Sequence, residues 1–169
     1  MAMEILGETL DIHLGGVDNI FPHHENEIAQ SEAVSGKTFS HMWVHSEHLI
    51  VDNKKMSKSL GNFYTLRDLL DKGFNGRQIR YLLLQTHYRT QLNFTFEGLH
   101  ASKASLERLD DFIYRIQNIP ASVQETGDIE DRLISPMLNS FKEALSDDLN
   151  ISVALSAVFV FIKVCNVLC

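Results

Sequence analysis

LDIHLGGVDNIFPHHENEIAQSEAVSGKTFSHMWVHSEHLIVDN, residues 10–53, decides the architecture of the front of the chain. Leu10–His13 alternate and then meet Gly15-Gly16, which predicts a strand running into a tight turn. Pro22 suits a first helical turn and Gly36 suits an exit, so Pro22–Val34 is predicted helical. Met42–Val51 is rich in β-formers and is closed by Asp52-Asn53, so it contains a second strand.

Behind this segment the period changes to that of helices. Thr65 is placed to cap a short helix carrying Leu66, Leu69 and Leu70. Asn75-Gly76 interrupts the chain, and Ile79, Leu82 and Leu83 set a further stripe. Phe96, Leu99, Leu106, Leu109, Ile113 and Ile116 set another. Pro120–Asp128 reads as a loop by composition. Leu133, Met137, Phe141 and Leu145 mark the next helix, which Pro136 either opens or kinks. The expected class is α/β followed by all-α, with the change between Asn62 and Leu92 and no internal repeat.

Composition bounds the function. The chain has 169 residues, 44% apolar and 22% charged, which excludes wholesale disorder, collagen and low complexity. Its two cysteines, Cys165 and Cys169, exclude a disulfide scaffold and point to a reducing compartment. Residues 1–8 carry no secretory signal pattern. Ile151–Cys169 approaches membrane-spanning length, but Lys163, Asn166, Ser152 and Ser156 oppose insertion. A buried helix whose covering partners lie elsewhere is the expectation, as in a piece of a longer protein.

The net charge of −7 argues against a protein that coats nucleic acid over its whole surface. The charge is unevenly spread. Residues 1–52 hold nine acids and one base, a net of −8, whereas residues 53–119 hold eleven bases and six acids, a net of +5. The basic stretch Lys54–Arg89 reads either as a solvated face or as a phosphate contact.

Within that stretch, Lys55-Met56-Ser57-Lys58-Ser59 runs on into Leu60-Gly61-Asn62. Two ammonium groups beside small hydroxyls can close over a polyphosphate, and a basic surface turn is the alternative. No glycine-rich Walker loop is present. His23 and Glu27 stand four apart on a predicted helix and project from nearly one face. An imidazole and a carboxylate both bind zinc, though a surface pair is the alternative, and Ile28 denies the HExxH pattern.

KMSKS is the second signature of class I aminoacyl-tRNA synthetases. KMSKSLGN together with GGVDNIFPHHENEIAQSE at Gly15–Glu32 resembles cysteinyl-tRNA synthetases, as do HYRTQLNFT at His87–Thr95 and ALSDDLN at Ala144–Asn150. The resemblance implies a chain that activates L-cysteine with ATP, with Mg2+, and passes the cysteinyl group to tRNA(Cys), in the cytoplasm, with no role for DNA or membrane. It implies the second half of a Rossmann-type catalytic domain with a helical bundle behind it. Residues 1–62 would end that domain at the KMSKS loop, 63–119 would contact the tRNA stem, and 120–169 would begin a helical tRNA-binding domain.

Residue by residue, the resemblance implies that Lys58 binds ATP and stabilises the activation transition state, with Lys55, Met56, Ser57 and Ser59 shaping the loop. Gly15, Gly16 and Asp18 match a turn near the adenosine; Asp18 either accepts ribose hydroxyls or caps the following helix. His23 and Glu27 match two of four zinc ligands, the other two being cysteines that this chain lacks at matching positions. Zinc favours a thiolate over a hydroxyl, a choice that a hydrophobic pocket makes weakly. His24, Trp43 and His45 fall in family-like blocks as cysteine-pocket residues, with plain packing an alternative for Trp43 and His45.

The first class I signature, His-x-Gly-His, is absent, and Ile151-Ser152 stands where the family commonly has Thr-Pro. The chain alone is therefore expected to be inactive. Two other readings compete. One is the related ligase that joins cysteine to an amino-sugar in mycothiol synthesis, and the other is a non-catalytic helical module that binds RNA or a partner.

Overall fold

The structure is a computed structural model and describes residues 2–119 and 130–168. The expected loop at Pro120–Asp128 and the terminal Cys169 lie outside the described residues. The chain forms two compact units. One holds the residues up to Ile50 together with Tyr88–Leu92, and the other holds Val51–His87 and the described residues from Asn93 onward.

The first unit begins with helix α1 (Ala2–Leu6) and strand β1 (Leu10–Gly16). A short 3-10 turn at Val17–Asn19 and a wider turn at Ile20–His24 lead into helix α2 (Glu25–Ser35), followed by strand β2 (Ser40–Ser46). β1 and β2 pair in parallel, from Leu10 opposite Ser40 to Gly16 opposite Ser46. Parallel strands cannot be joined by a tight hairpin, and α2 supplies the crossover. Leu10, Phe39, Ser40 and His24 are the buried residues here. Tyr88 and Leu92 supply carbonyls to the Glu47 and Ile50 N–H groups, at 2.8 and 2.9 Å.

Two local expectations are corrected. The regular α-helix starts at Glu25 rather than at Pro22: Phe21 is extended (φ −137°, ψ 131°), and the turn after it is closed by the Glu25 N–H on the Pro22 carbonyl, three residues back, before regular pairing begins. The Phe21–Pro22 bond is cis. Gly15-Gly16 is not a tight turn: both residues continue β1, opposite His45 and Ser46.

Strand β3 (Ile50–Val51), with which the first unit ends and the second begins, and β4 (Lys54–Lys55) flank Asp52-Asn53, both at positive φ (48° and 60°). A two-residue hairpin loop of this kind needs that conformation twice, and Asp and Asn tolerate it better than most residues. β5 (Asn93–Phe94) completes the order β4-β3-β5. The Asn93 side chain ties the turn, accepting the Asn53 N–H at 2.9 Å and donating to Asn53 Oδ1 at 3.0 Å.

Helices follow: α3 (Leu66–Asp71), α4 (Gly76–Leu84), α5 (Phe96–Gln117), α6 (Ser135–Ser146) and α7 (Ile151–Leu168). Thr65 caps α3 as expected, and Asp68 returns the bond to complete a capping box; Asn75 and Gln78 do the same for α4. Pro136 sits in the first turn of α6, directly after a wider helical turn at Glu130–Ile134. Leu69, Ile79, Leu82, Phe94, Leu99 and Leu106 are buried, and Phe112 meets Phe161 edge-on at 5.9 Å.

Asn150 resolves the start of α7: its carbonyl accepts the Ala154 N–H at 3.1 Å and its Oδ1 accepts that of Val153 at 3.3 Å. α7 is one-sided. Ala154 and Ile162 are buried, while Val153, Val160, Val164 and Val167 are exposed. No helix among the described residues is long and apolar enough to cross a membrane.

The Asp68 carboxylate accepts from both the hydroxyl and the N–H of Thr65 at 2.7 Å, and the hydroxyl bond is the larger cause of its lowered pKa. A carboxylate with a depressed folded-state pKa stabilises the fold above its unfolded value and loses that contribution as pH falls through the folded one. Thr65→Ala should move the Asp68 carboxyl titration, followed by NMR, back up toward the usual carboxylate range. An unmoved titration would contradict the hydroxyl as main cause.

Candidate functional site

In the first unit, β1, β2, the Ile20–His24 turn and the start of α2 gather four histidines, Glu27 and Trp43. His13 on β1 places Nε2 2.9 Å from Glu27 Oε2. His24 is 4% exposed, and its Nδ1 is hydrogen-bonded to His45 Nε2 at 2.8 Å. Its ring packs 4.9 Å from that of His13 and 5.0 Å from Trp43, and Trp43 stacks parallel to His45 at 6.0 Å. Burial, then the neighbouring His13, hold the His24 pKa below its ordinary value, so the imidazole is neutral at neutral pH.

Gly15 explains how His24 fits. A Cβ on Gly15 would lie 2.5 Å from His24 Cε1 and 2.8 Å from Nε2, so the glycine pair serves close approach rather than a turn. Gly15→Ala is expected to destabilise this unit by about 1–3 kcal/mol through overpacking. Thermal unfolding checks this, and an unchanged midpoint would contradict the contact. Asp18 supplies no side-chain cap to either turn or to α2, so of its two sequence readings the cap is not realised. Its carboxylate leans back over Gly16.

His23 and Glu27 do converge. His23 Nε2 stands 3.7 Å from Glu27 Oε1, and the two side chains are 64% and 31% exposed. That separation is long for a hydrogen bond. It is close to the roughly 3.4 Å between two donors sharing a tetrahedral ion at zinc–ligand distances of about 2.0–2.1 Å. Glu27 thus divides its oxygens, Oε2 to His13 and Oε1 toward His23. The donor atoms of His13, His24 and Glu27 also lie within 4.8 Å of one another. There, however, His13 is committed to a hydrogen bond and His24 is buried. His13 escaped the sequence reading, since its partner is 14 residues away and strand alternation marks it only as half-buried.

The second unit carries the KMSKS loop. Ser57 is extended, and its Oγ accepts the Ser59 N–H and lies 2.7 Å from Ser59 Oγ, capping a single 3-10 turn at Lys58–Leu60. Gly61 reverses the chain at φ 66°, where a Cβ would be strained. Asn62 Oδ1 then accepts the Ser57 N–H at 2.9 Å, and its Nδ2 donates to the Lys55 carbonyl at 3.1 Å. Lys55, Lys58 and Ser59 are exposed, and Met56 is half-buried. Lys58 Nζ rests 5.5 Å from the centre of the Phe63 ring. The loop is a preformed turn that presents two cations and two hydroxyls, suited to a phosphate chain.

The family model of the tRNA synthetases class I (C) catalytic domain matches residues 1–104. The chain belongs to this family. Over 169 residues it is 66% identical to the cysteine–tRNA ligase of Protochlamydia amoebophila, across 100% of this chain and 35% of that protein. The same ligase of Chlamydia felis is 60% identical over 166 residues, 98% of this chain and 35% of that one. The chain thus spans about a third of the length of the curated relatives it matches.

Among solved structures, the Agrobacterium radiobacter K84 LeuRS, in a ternary complex with tRNA and LeuAMS, aligns with a TM-score of 0.70. The alignment covers 90% of this chain and 22% of that one at 17% identity. Mycobacterium tuberculosis methionyl-tRNA synthetase bound by methionyl-adenylate aligns at 0.66 and 17% identity, over 92% and 33%. The fold is that of class I synthetases: a Rossmann-like catalytic segment, of which the β1–α2–β2 crossover is a part, with helices behind it.

Proposed function

We propose that this chain is a catalytic segment of a cysteine–tRNA ligase. In that reading the carboxylate of L-cysteine attacks the α-phosphate of ATP, held with Mg2+, releasing pyrophosphate and leaving cysteinyl-adenylate. A ribose hydroxyl at the end of tRNA(Cys) then attacks the cysteinyl carbonyl and releases AMP. The observation that carries the reading is the pairing of two features in one chain: a preformed KMSKS turn, and the His23–Glu27 donor pair at 3.7 Å. The 66% identity to a cysteine–tRNA ligase supports it.

The residues take separate parts. Lys58 meets the charge that builds on the α-phosphate, and Lys55 meets the outer phosphates. Met56, Ser57 and Ser59 shape the turn that carries them. Gly15, Gly16 and Asp18 serve the adenosine side. His23 and Glu27 hold zinc together with ligands outside this chain, since neither Cys165 nor Cys169 lies in a matching motif. Zinc, when bound, supplies a soft Lewis acid that prefers a thiolate to a hydroxyl. Trp43 and His45, braced by buried His24, line the cysteine pocket. Residues 63–119 contact the tRNA stem, and those from 120 onward begin a helical tRNA-binding domain. In this reading the protein works on the cell's tRNA pool, in the cytoplasm.

The test is ATP–pyrophosphate exchange by the intact enzyme that carries this segment, with each amino acid in turn, followed by acylation of tRNA(Cys). Exchange dependent on cysteine and transfer to that tRNA are expected. Exchange driven by another amino acid, or transfer to an amino-sugar in place of tRNA, would overturn the reading.

A further inference from the structure

We propose that Asn62 is a positioning residue for Lys58. This rests on the reading of the KMSKS loop as the phosphate-binding element. The Asn62 carboxamide spans Met56, accepting from the Ser57 N–H on one side and donating to the Lys55 carbonyl on the other. These bonds close the base of a loop whose other contacts are short-range: Ser57 with Ser59, and the Gly61 N–H with the Lys58 carbonyl at 3.2 Å. The entering strand is fixed independently, through the Asn53–Asn93 pair. One junction is therefore left to set the direction in which the Lys58–Leu60 turn leaves the sheet, and Asn62 sits on it.

Only a primary carboxamide meets both demands. It offers an acceptor and a donor from one planar group, at 2.9 and 3.1 Å. Aspartate keeps the acceptor and loses the donor, and alanine loses both. Without the tie, the Ser57 N–H and Lys55 carbonyl turn to water and the turn samples other directions. Lys58 then reaches the phosphate in a smaller share of encounters. The loss falls on the rate of activation rather than on ground-state affinity, because a lysine that only sometimes arrives still lets ATP bind.

The experiment uses the intact enzyme with Asn62→Ala, Lys58→Ala and the double variant, in single-turnover formation of cysteinyl-adenylate. Asn62→Ala should slow that step about tenfold while changing the KM for ATP less than about threefold. In the Lys58→Ala background the same substitution should cost less than about twofold, since the group it positions is gone. Amide hydrogen exchange at Ser57 should accelerate in Asn62→Ala and stay slow in Asn62→Asp, which retains the acceptor. Exchange at the α4 amides is the folding control and should stay at the wild-type rate in both variants.

An undiminished rate in Asn62→Ala, with wild-type activity intact, overturns the inference. A full tenfold loss on top of Lys58→Ala also overturns it, because Asn62 would then act elsewhere. Unchanged Ser57 exchange removes the tie itself. Absence of cysteine-dependent exchange in the wild-type enzyme overturns the underlying function, and the inference with it.

Discussion

Lys58→Ala in the intact enzyme is expected to slow formation of cysteinyl-adenylate by about 10²–10³-fold, the value of a well-placed donor to developing charge, roughly 3–4 kcal/mol. The warrant is local. Lys58 opens a 3-10 turn capped by Ser57 and is exposed, so its ammonium group reaches outward on a supported stem. Its Nζ rests over the Phe63 ring at 5.5 Å. A cation over an exposed ring is held by about 0.5–1 kcal/mol. That is small beside the transition-state term, so leaving the ring does not limit the step. Rapid quench of a single turnover separates activation from transfer. A variant that activates at the wild-type rate and only binds cysteine more weakly would show that Lys58 has another role.

Glu27→Ala and His23→Ala are each expected to strip zinc from the intact enzyme and to erode selection of cysteine over serine together. Replacing a residue that merely supports a ligand costs about 10–100-fold in metal affinity, and losing a ligand itself should cost at least the upper end. His13→Ala provides the graded comparison. It leaves both proposed donors in place and removes the 2.9 Å bond to Glu27 Oε2, so its loss should fall within the supporting range. Metal content by atomic absorption after dialysis is read beside the cysteine-to-serine ratio of activation rates. Full zinc occupancy with undiminished selectivity in either ligand variant would remove that residue from the metal site.

What could be seen in the sequence was what depends on near neighbours. Thr65 and Asp68 are three apart, Asn75 and Gln78 likewise, and His23 and Glu27 four; each pair meets as its spacing predicts. What could not be seen depends on the packing of one element on another. The Gly15-Gly16 pair carries the composition of a turn. Its use comes from a histidine ring nine residues onward that only the β1–α2 packing brings against the strand. His13 finds Glu27 through the same packing. The late start of α2 lies in a bond with no sequence signal, the Glu25 N–H on the Pro22 carbonyl three residues back, which delays regular pairing by a turn. The KMSKS turn was visible as a motif, but its closure by Asn62 was not, since hydrogen bonds across five and seven residues leave no periodic trace.

The first unit draws its last segment, Tyr88–Leu92, from beyond an intervening stretch that belongs to the other unit. This has a consequence for synthesis on the ribosome. Ile50 needs the carbonyl of Leu92, and Glu47 needs that of Tyr88. At about 5–20 residues per second, those partners are polymerised roughly 2–8 s after Ile50. Through that interval the edge just after β2 waits with its Glu47 and Ile50 N–H groups on water, while α3 and α4, built on contacts close in sequence, are free to form as they emerge. Synonymous codons that slow or hasten passage through residues 51–87 would lengthen or shorten the exposure of that edge to chaperones and to other nascent chains.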